Sequence, residues 1–180
     1  MYIWIACLLP EDFEKEVRSA CMAVNQAFGI STTAFTLPQH ISLKISFKVD
    51  DNRMEAVVQT IESILSKEDR FYVNLMPAER QEHILWMPAE DNSTLTRLHK
   101  VLDAQLAEKH NIAQHPFDHA FLFHSTLFLD TRPIPQEMEQ RLKKLPLPAR
   151  LLIRNFCIGI SPDGTPGSYR IVRQIPLKNP

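Results

Sequence analysis

Two histidines each stand two residues before a hydroxyl at the start of an apolar segment. His40 and Ser42 do so in "HISLKISFK", and His124 and Thr126 do so in "HSTLFLD". Successive side chains of a β-strand point to opposite faces. In the first segment His40, Ser42, Lys44, Ser46 and Lys48 therefore share one face, and Ile41, Leu43, Ile45 and Phe47 share the other. In the second, His124, Thr126, Phe128 and Asp130 lie opposite Ser125, Leu127 and Leu129. Histidine is the side chain whose ordinary pKa lies near neutrality. Two facing imidazoles can serve as base and acid in one reaction. Hydroxyls beside them can donate hydrogen bonds to non-bridging phosphate oxygens as charge shifts. The chemistry that fits is in-line displacement at a phosphodiester, which asks for no metal, no cofactor and no covalent intermediate. For either histidine alone, the plain alternative is a strand-start ring bonded to a loop carbonyl. The recurrence of the pair in both halves of the chain is what favours a shared cleft.

Other candidates are weaker. Lys44 shares the face of His40 and is a candidate phosphate contact, with Lys48 further along, although a solvated strand edge suits both lysines. Phe128 and Tyr169 are candidates for stacking a base. Asp130 is unfavourable near a phosphate unless it lies past the rim of the cleft. Arg170 and Arg173 point to opposite faces of a closing strand, so at most one reaches the site. His110, His115, His119 and His124 raise the question of a metal. His115 and His119 have the spacing of a helical zinc pair, but Pro116 opposes a helix there, and no glutamate sits between them as in a zinc protease helix. No metal site is expected, and the absence of a GxSxG elbow argues against a Ser-His-Asp hydrolase.

The elements that must position these residues follow from periodicity. Residues 2 to 9 read as a buried strand, and Pro10 with Glu11 and Asp12 opens a helix striped by Phe13, Val17, Cys21, Val24 and Phe28. The strand from His40 follows a polar loop. Asp50 or Asp51 caps a second helix, 70–76 and 83–89 read as strands, and Asn92 or Ser93 caps a third helix. A histidine-rich loop at 110–120 leads into a strand at 123–130, then a short helix from Pro135. Two closing strands, near 150–160 and 168–175, flank the turn "SPDGTPG". This is an α+β pattern whose element order roughly repeats once. With 180 residues, 44% of them hydrophobic, it is expected to form a single domain, 1–180, made of two pseudo-symmetric lobes.

Composition excludes several classes. A formal net charge of −1 argues against a duplex DNA partner and confines any nucleic-acid contact to a small patch. The three cysteines form no CxxC pair and read as reduced thiols in a cytoplasmic protein. The apolar start lacks a basic flank and is too short to span a bilayer, so no membrane partner is expected. A monomer is the working expectation.

At "HISL" and "HSTL" the sequence resembles the 2H phosphoesterase superfamily, which includes 2′-5′ RNA ligase-like proteins and cyclic nucleotide phosphodiesterases. The opening "MYIWIACLLPEDFEKEV" and the phrase "HPFDHAFLFHSTLF" also look like that family. The resemblance implies a bilobal, pseudo-twofold fold of two antiparallel sheets facing a central cleft, with helices outside. It implies His40 and His124 as the catalytic pair, His124 as base and His40 as acid, with Ser42 and Thr126 holding the phosphate. The expected activity is hydrolysis of a small cyclic phosphodiester, or of a nucleotide or RNA-end 2′,3′-cyclic phosphate. A 2′-5′ RNA ligase-type enzyme and a non-catalytic nucleotide-binding domain are the alternatives.

Overall fold

The computed structural model describes residues 1–30 and 32–179. Its strands are β1 (Tyr2–Leu8), β2 (His40–Lys48), β3 (Phe71–Asn74), β4 (Glu79–Gln81), β5 (Ile84–Pro88), β6 (His124–Leu129), β7 (Arg150–Ile153), β8 (Asn155–Ser161) and β9 (Arg170–Pro176). The helices are α1 (Glu11–Asn25), α2 (Met54–Leu65), α3 (Ser93–His110) and α4 (Gln136–Lys143).

All strand pairs of the sheets are antiparallel. One sheet has the order β2-β1-β8-β9, a second joins β3 to β7, and a third has the order β4-β5-β6. Leu75 bridges Ala89 just beyond β3 and β5, so β3 and β4 run along one edge of β5 as a single interrupted strand. The two smaller sheets thereby form one continuous layer. The mixed helix-and-antiparallel-sheet architecture is the α+β class read from the pattern.

The alternation of β1 explains its place. Ile3, Ile5 and Cys7 enter the main core, while Trp4 and Ala6 face the other side and form a small cluster with Cys157. Helix α1 brings Phe13, Val17, Cys21 and Val24 to the core, and α3 brings Leu95, Leu98, Leu102 and Leu106 at helical spacing. The Asn92 side chain accepts from the Thr94 and Leu95 amides and so caps α3 as its sequence position suggests. Among the described residues, no helix is long and apolar enough to cross a membrane.

Two details depart from the periodicity. The segment 150–160 is two strands, not one: β7 pairs with β3 and β8 with β1, and the chain passes between sheets at Arg154. β4 is short, polar and largely exposed, and so carries no apolar signal.

Candidate functional site

β2 and β6 start with the histidines and share a burial pattern. From His40 and from His124 the first five residues run half-buried, buried, half-buried, buried, buried. The last step breaks the alternation because both strands carry an extra residue at the same offset. Ala6 pairs with Ser42 and Ile5 with Lys44; Trp86 pairs with Thr126 and Leu85 with Phe128. A β-bulge of this kind turns the following side chain to the other face. It disrupts the expected alternation beyond Ser42 and Thr126, so that Ile45 and Leu129 join the cavity wall, on which Lys44 and Ser46 remain.

Lys44 and Phe128 occupy the corresponding positions, and neither behaves as predicted. Phe128 is 1% exposed and packs edge-on against Phe35, so it has no face to offer a base. Lys44 is 2% exposed; its ammonium bonds to Asp103 and lies 2.6 Å from Asp118 Oδ2. Both acids consume the charge that was expected to meet phosphate. Burial opposes the Asp118 carboxylate, but the hydrogen bond from Lys44 and amides of His115 and Ile45 hold its pKa below the ordinary value. His99, Asp103 and Asp118 stand close enough to suggest a metal site, yet the Lys44 ammonium already sits on the two carboxylates. His115 caps a 3-10 turn at Pro116–Ala120 and lies outside this group, as does His119. Asp130 pairs with Arg132 at 3.2 Å and does not line the cleft.

His40, Ser42, His124 and Thr126 are brought together as predicted, on the wall of one cavity of about 700 Å³. Tyr169 lines it too, with its ring 6.3 Å from that of Trp4. The two imidazoles are held alike. His40 Nδ1 lies 2.8 Å from the Pro38 carbonyl and His124 Nδ1 lies 2.7 Å from the Leu122 carbonyl. A carbonyl oxygen only accepts, so each Nδ1 carries its proton and each Nε2 is left for chemistry. The loop-carbonyl bond that is the plain reading of such a histidine is here the device that sets the tautomer.

Each ring also rests on an indole. Trp4 meets His40 edge-on at 4.4 Å, and Trp86 lies 4.3 Å from His124. Trp4 Nε1 donates to Ser42 Oγ at 3.0 Å, which occupies an acceptor site and leaves the serine hydrogen free to donate. Gly159 makes room for Trp4: a Cβ there would lie 2.5 Å from the indole ring. Burial lowers the His40 pKa to about 4, against the raising effect of the Pro38 carbonyl, with the neighbouring His124 lowering it further. Burial also lowers that of His124, against the Leu122 carbonyl. Both rings are therefore neutral at pH 7 in the free protein.

Two features escaped the sequence reading. Gln39 is 1% exposed and joins the two motif strands: its Nε2 donates to the Thr126 carbonyl at 3.3 Å and its Oε1 accepts from Ser125 Oγ at 2.8 Å. It thus ties the backbone next to His40 to the backbone next to His124. Its only sequence signal is adjacency to His40. Phe117, 71% exposed, is the aromatic at the cavity rim, presented by the loop before His124.

A sheet-and-helix fold with two tautomer-fixed histidines and two hydroxyls on one cavity defines a class, and comparison with known proteins places the chain in it. The chain belongs to the 2′-5′ RNA ligase superfamily, the 2H phosphoesterases, whose family model matches residues 10–164. Among solved structures it is similar to TT0787 of Thermus thermophilus, with 18% identity, 99% of each chain covered and a TM-score of 0.74. Escherichia coli LigT in its apo form is 17% identical, with 98% of this chain and 97% of that one covered and a TM-score of 0.64. Usb1 of Kluyveromyces marxianus shares the fold at 9% identity, with 98% of each chain covered and a TM-score of 0.54. No curated protein matches.

Proposed function

We propose that this chain is a metal-independent phosphodiesterase that opens a small cyclic phosphodiester, such as a nucleotide or RNA-end 2′,3′-cyclic phosphate. The observation that carries the reading is the pair of equivalent histidines, each with Nδ1 committed to a carbonyl, lining one cavity beside Ser42 and Thr126. A neutral Nε2 accepts a proton and a protonated one donates it. In the proposed step His124 Nε2 takes a proton from water, the water oxygen bonds to phosphorus, the P–O bond to one ribose oxygen breaks, and His40 Nε2–H protonates that oxygen. The roles exchange in the reverse direction. Ser42 and Thr126 donate to the non-bridging oxygens. The negative charge of the bound phosphate favours the imidazolium and so raises the pKa of His40 where a proton is needed.

Support of a different kind comes from E. coli LigT, which has been solved in complexes with 3′-AMP, phosphate, ATP and NADP+, all of them phosphates and three of them nucleotides. A monophosphate of the 3′-AMP type is the product expected here. Phe117 and Tyr169 are the aromatics placed to meet a base. The reaction is proposed to run in the cytoplasm, on a small nucleotide or RNA end, by a monomer. The test is hydrolysis of a panel of 2′,3′-cyclic nucleotides and 2′-5′-linked dinucleotides in EDTA. Turnover of the cyclic compounds is expected. Turnover confined to the linear 2′-5′ linkage would favour the ligase-type reading, and binding without turnover would favour a nucleotide-binding domain.

A further inference from the structure

The cavity that holds the histidines is poor in charge. Among the described residues, Lys44 is the one lysine or arginine on its wall, and Asp103 and Asp118 neutralise it. Apart from His40, His124 and the Gln81 amide, the rest of the wall is aliphatic, aromatic or hydroxylic, with Ile45, Ile84 and Leu129 inside and Phe117 and Leu122, 71% and 64% exposed, at the rim. Hydroxyls and imidazoles can solvate one phosphodiester anion. A further phosphate entering the same apolar space loses water and gains no counter-charge, which is costly in a low-dielectric setting. The carboxylates behind Lys44 and the net charge of −1 add no attraction for it. A volume of about 700 Å³ suits a single nucleotide, so of the two substrates proposed above the inference favours the free nucleotide over the RNA end.

Resting on the phosphodiesterase reading above, we propose that the cleft selects substrates bearing one negative charge and an apolar or aromatic substituent. A ribonucleoside 2′,3′-cyclic phosphate with a free 5′-hydroxyl fits that description, and the same compound with a 5′-phosphate is rejected. Specificity then arises from the missing cation as much as from the groups present.

The experiment compares kcat/KM for adenosine 2′,3′-cyclic phosphate and its 5′-phosphorylated counterpart, with wild type and Gln81→Arg. Gln81 is exposed on the cavity wall and is given no role in the reaction. The expected result is a 5′-phosphate penalty of at least about tenfold, the scale of one uncompensated nearby charge. Gln81→Arg should shrink that penalty, and Ala120→Lys, at another exposed wall position with no role in the reaction, serves if the first variant fails to fold. Equal or faster turnover of the 5′-phosphorylated compound overturns the inference while leaving the phosphodiesterase reading intact. If neither compound is turned over, that reading fails, and the inference is read from calorimetric affinities of the same two compounds, adenosine 2′,3′-cyclic phosphate as the monophosphate and its 5′-phosphorylated counterpart as the bisphosphate. Tighter binding of the monophosphate supports it, and equal or tighter binding of the bisphosphate overturns it.

Discussion

Each motif histidine is defined by what its Nδ1 does. The Pro38 and Leu122 carbonyls fix one tautomer in both rings, and burial keeps both rings unprotonated in the free protein. This has a consequence for pH. The proposed reaction requires one protonated ring. In the free protein that form is populated only below the ordinary histidine value of about 6.5, since both pKa values are lowered from it. In the complex, the phosphate anion raises the pKa of the donor. The alkaline limb of the kcat/KM profile, which reports the free protein, is therefore expected below pH 6.5, and that of kcat at a higher pH than the kcat/KM limb. Steady-state kinetics from pH 4 to 9 would check this. Coincident limbs, both well above pH 7, would show that the rings are not desolvated as described.

At the scale of elements, the site depends on how β2 and β6 meet. The half-buried faces of His40, Ser42, His124 and Thr126 were legible, because a two-residue alternation requires only that the strand exist. What lies beyond them was not. A bulge is set by how the partner strand pairs, so nothing in "HISLKISFK" announces that Lys44 turns inward to Asp103 and Asp118, nor in "HSTLFLD" that Phe128 enters the core. Gln39 was missed for the same reason: its partners, Ser125 and Thr126, are far away in sequence. Its position between the strands makes it a positioning residue. Gln39→Leu keeps the volume roughly and removes the bridge. The expected outcome is a fall in kcat of about 10- to 100-fold, the scale of an ångström-level misplacement, with KM nearly unchanged. The urea midpoint should report a loss of about 1–3 kcal/mol for each group left unpartnered, the Ser125 hydroxyl and the Thr126 carbonyl. An unaltered kcat would remove Gln39 from the account.

Across the whole molecule, element order carried the fold class, and the cross-sheet passage at Arg154 did not follow from it. Sheet membership is decided by packing: β7 and β8 read as one apolar run, yet β8 completes the layer of β1 while β7 closes the layer of β3. The same two layers bring residues from the two halves of the chain to one cavity, and that convergence is the central claim. It is tested most directly by His40→Ala and His124→Ala, each assayed on adenosine 2′,3′-cyclic phosphate and on a p-nitrophenyl phosphodiester whose leaving group needs no proton. On the cyclic compound each variant is expected to lose about 10²- to 10⁴-fold in kcat, the usual share of a general acid or base, with far-ultraviolet circular dichroism unchanged. On the p-nitrophenyl ester His40→Ala is expected to recover most of its activity and His124→Ala none, because only the acid becomes dispensable. Recovery in the opposite variant would exchange the two roles. Full activity of either variant on the cyclic compound would contradict the two-histidine account.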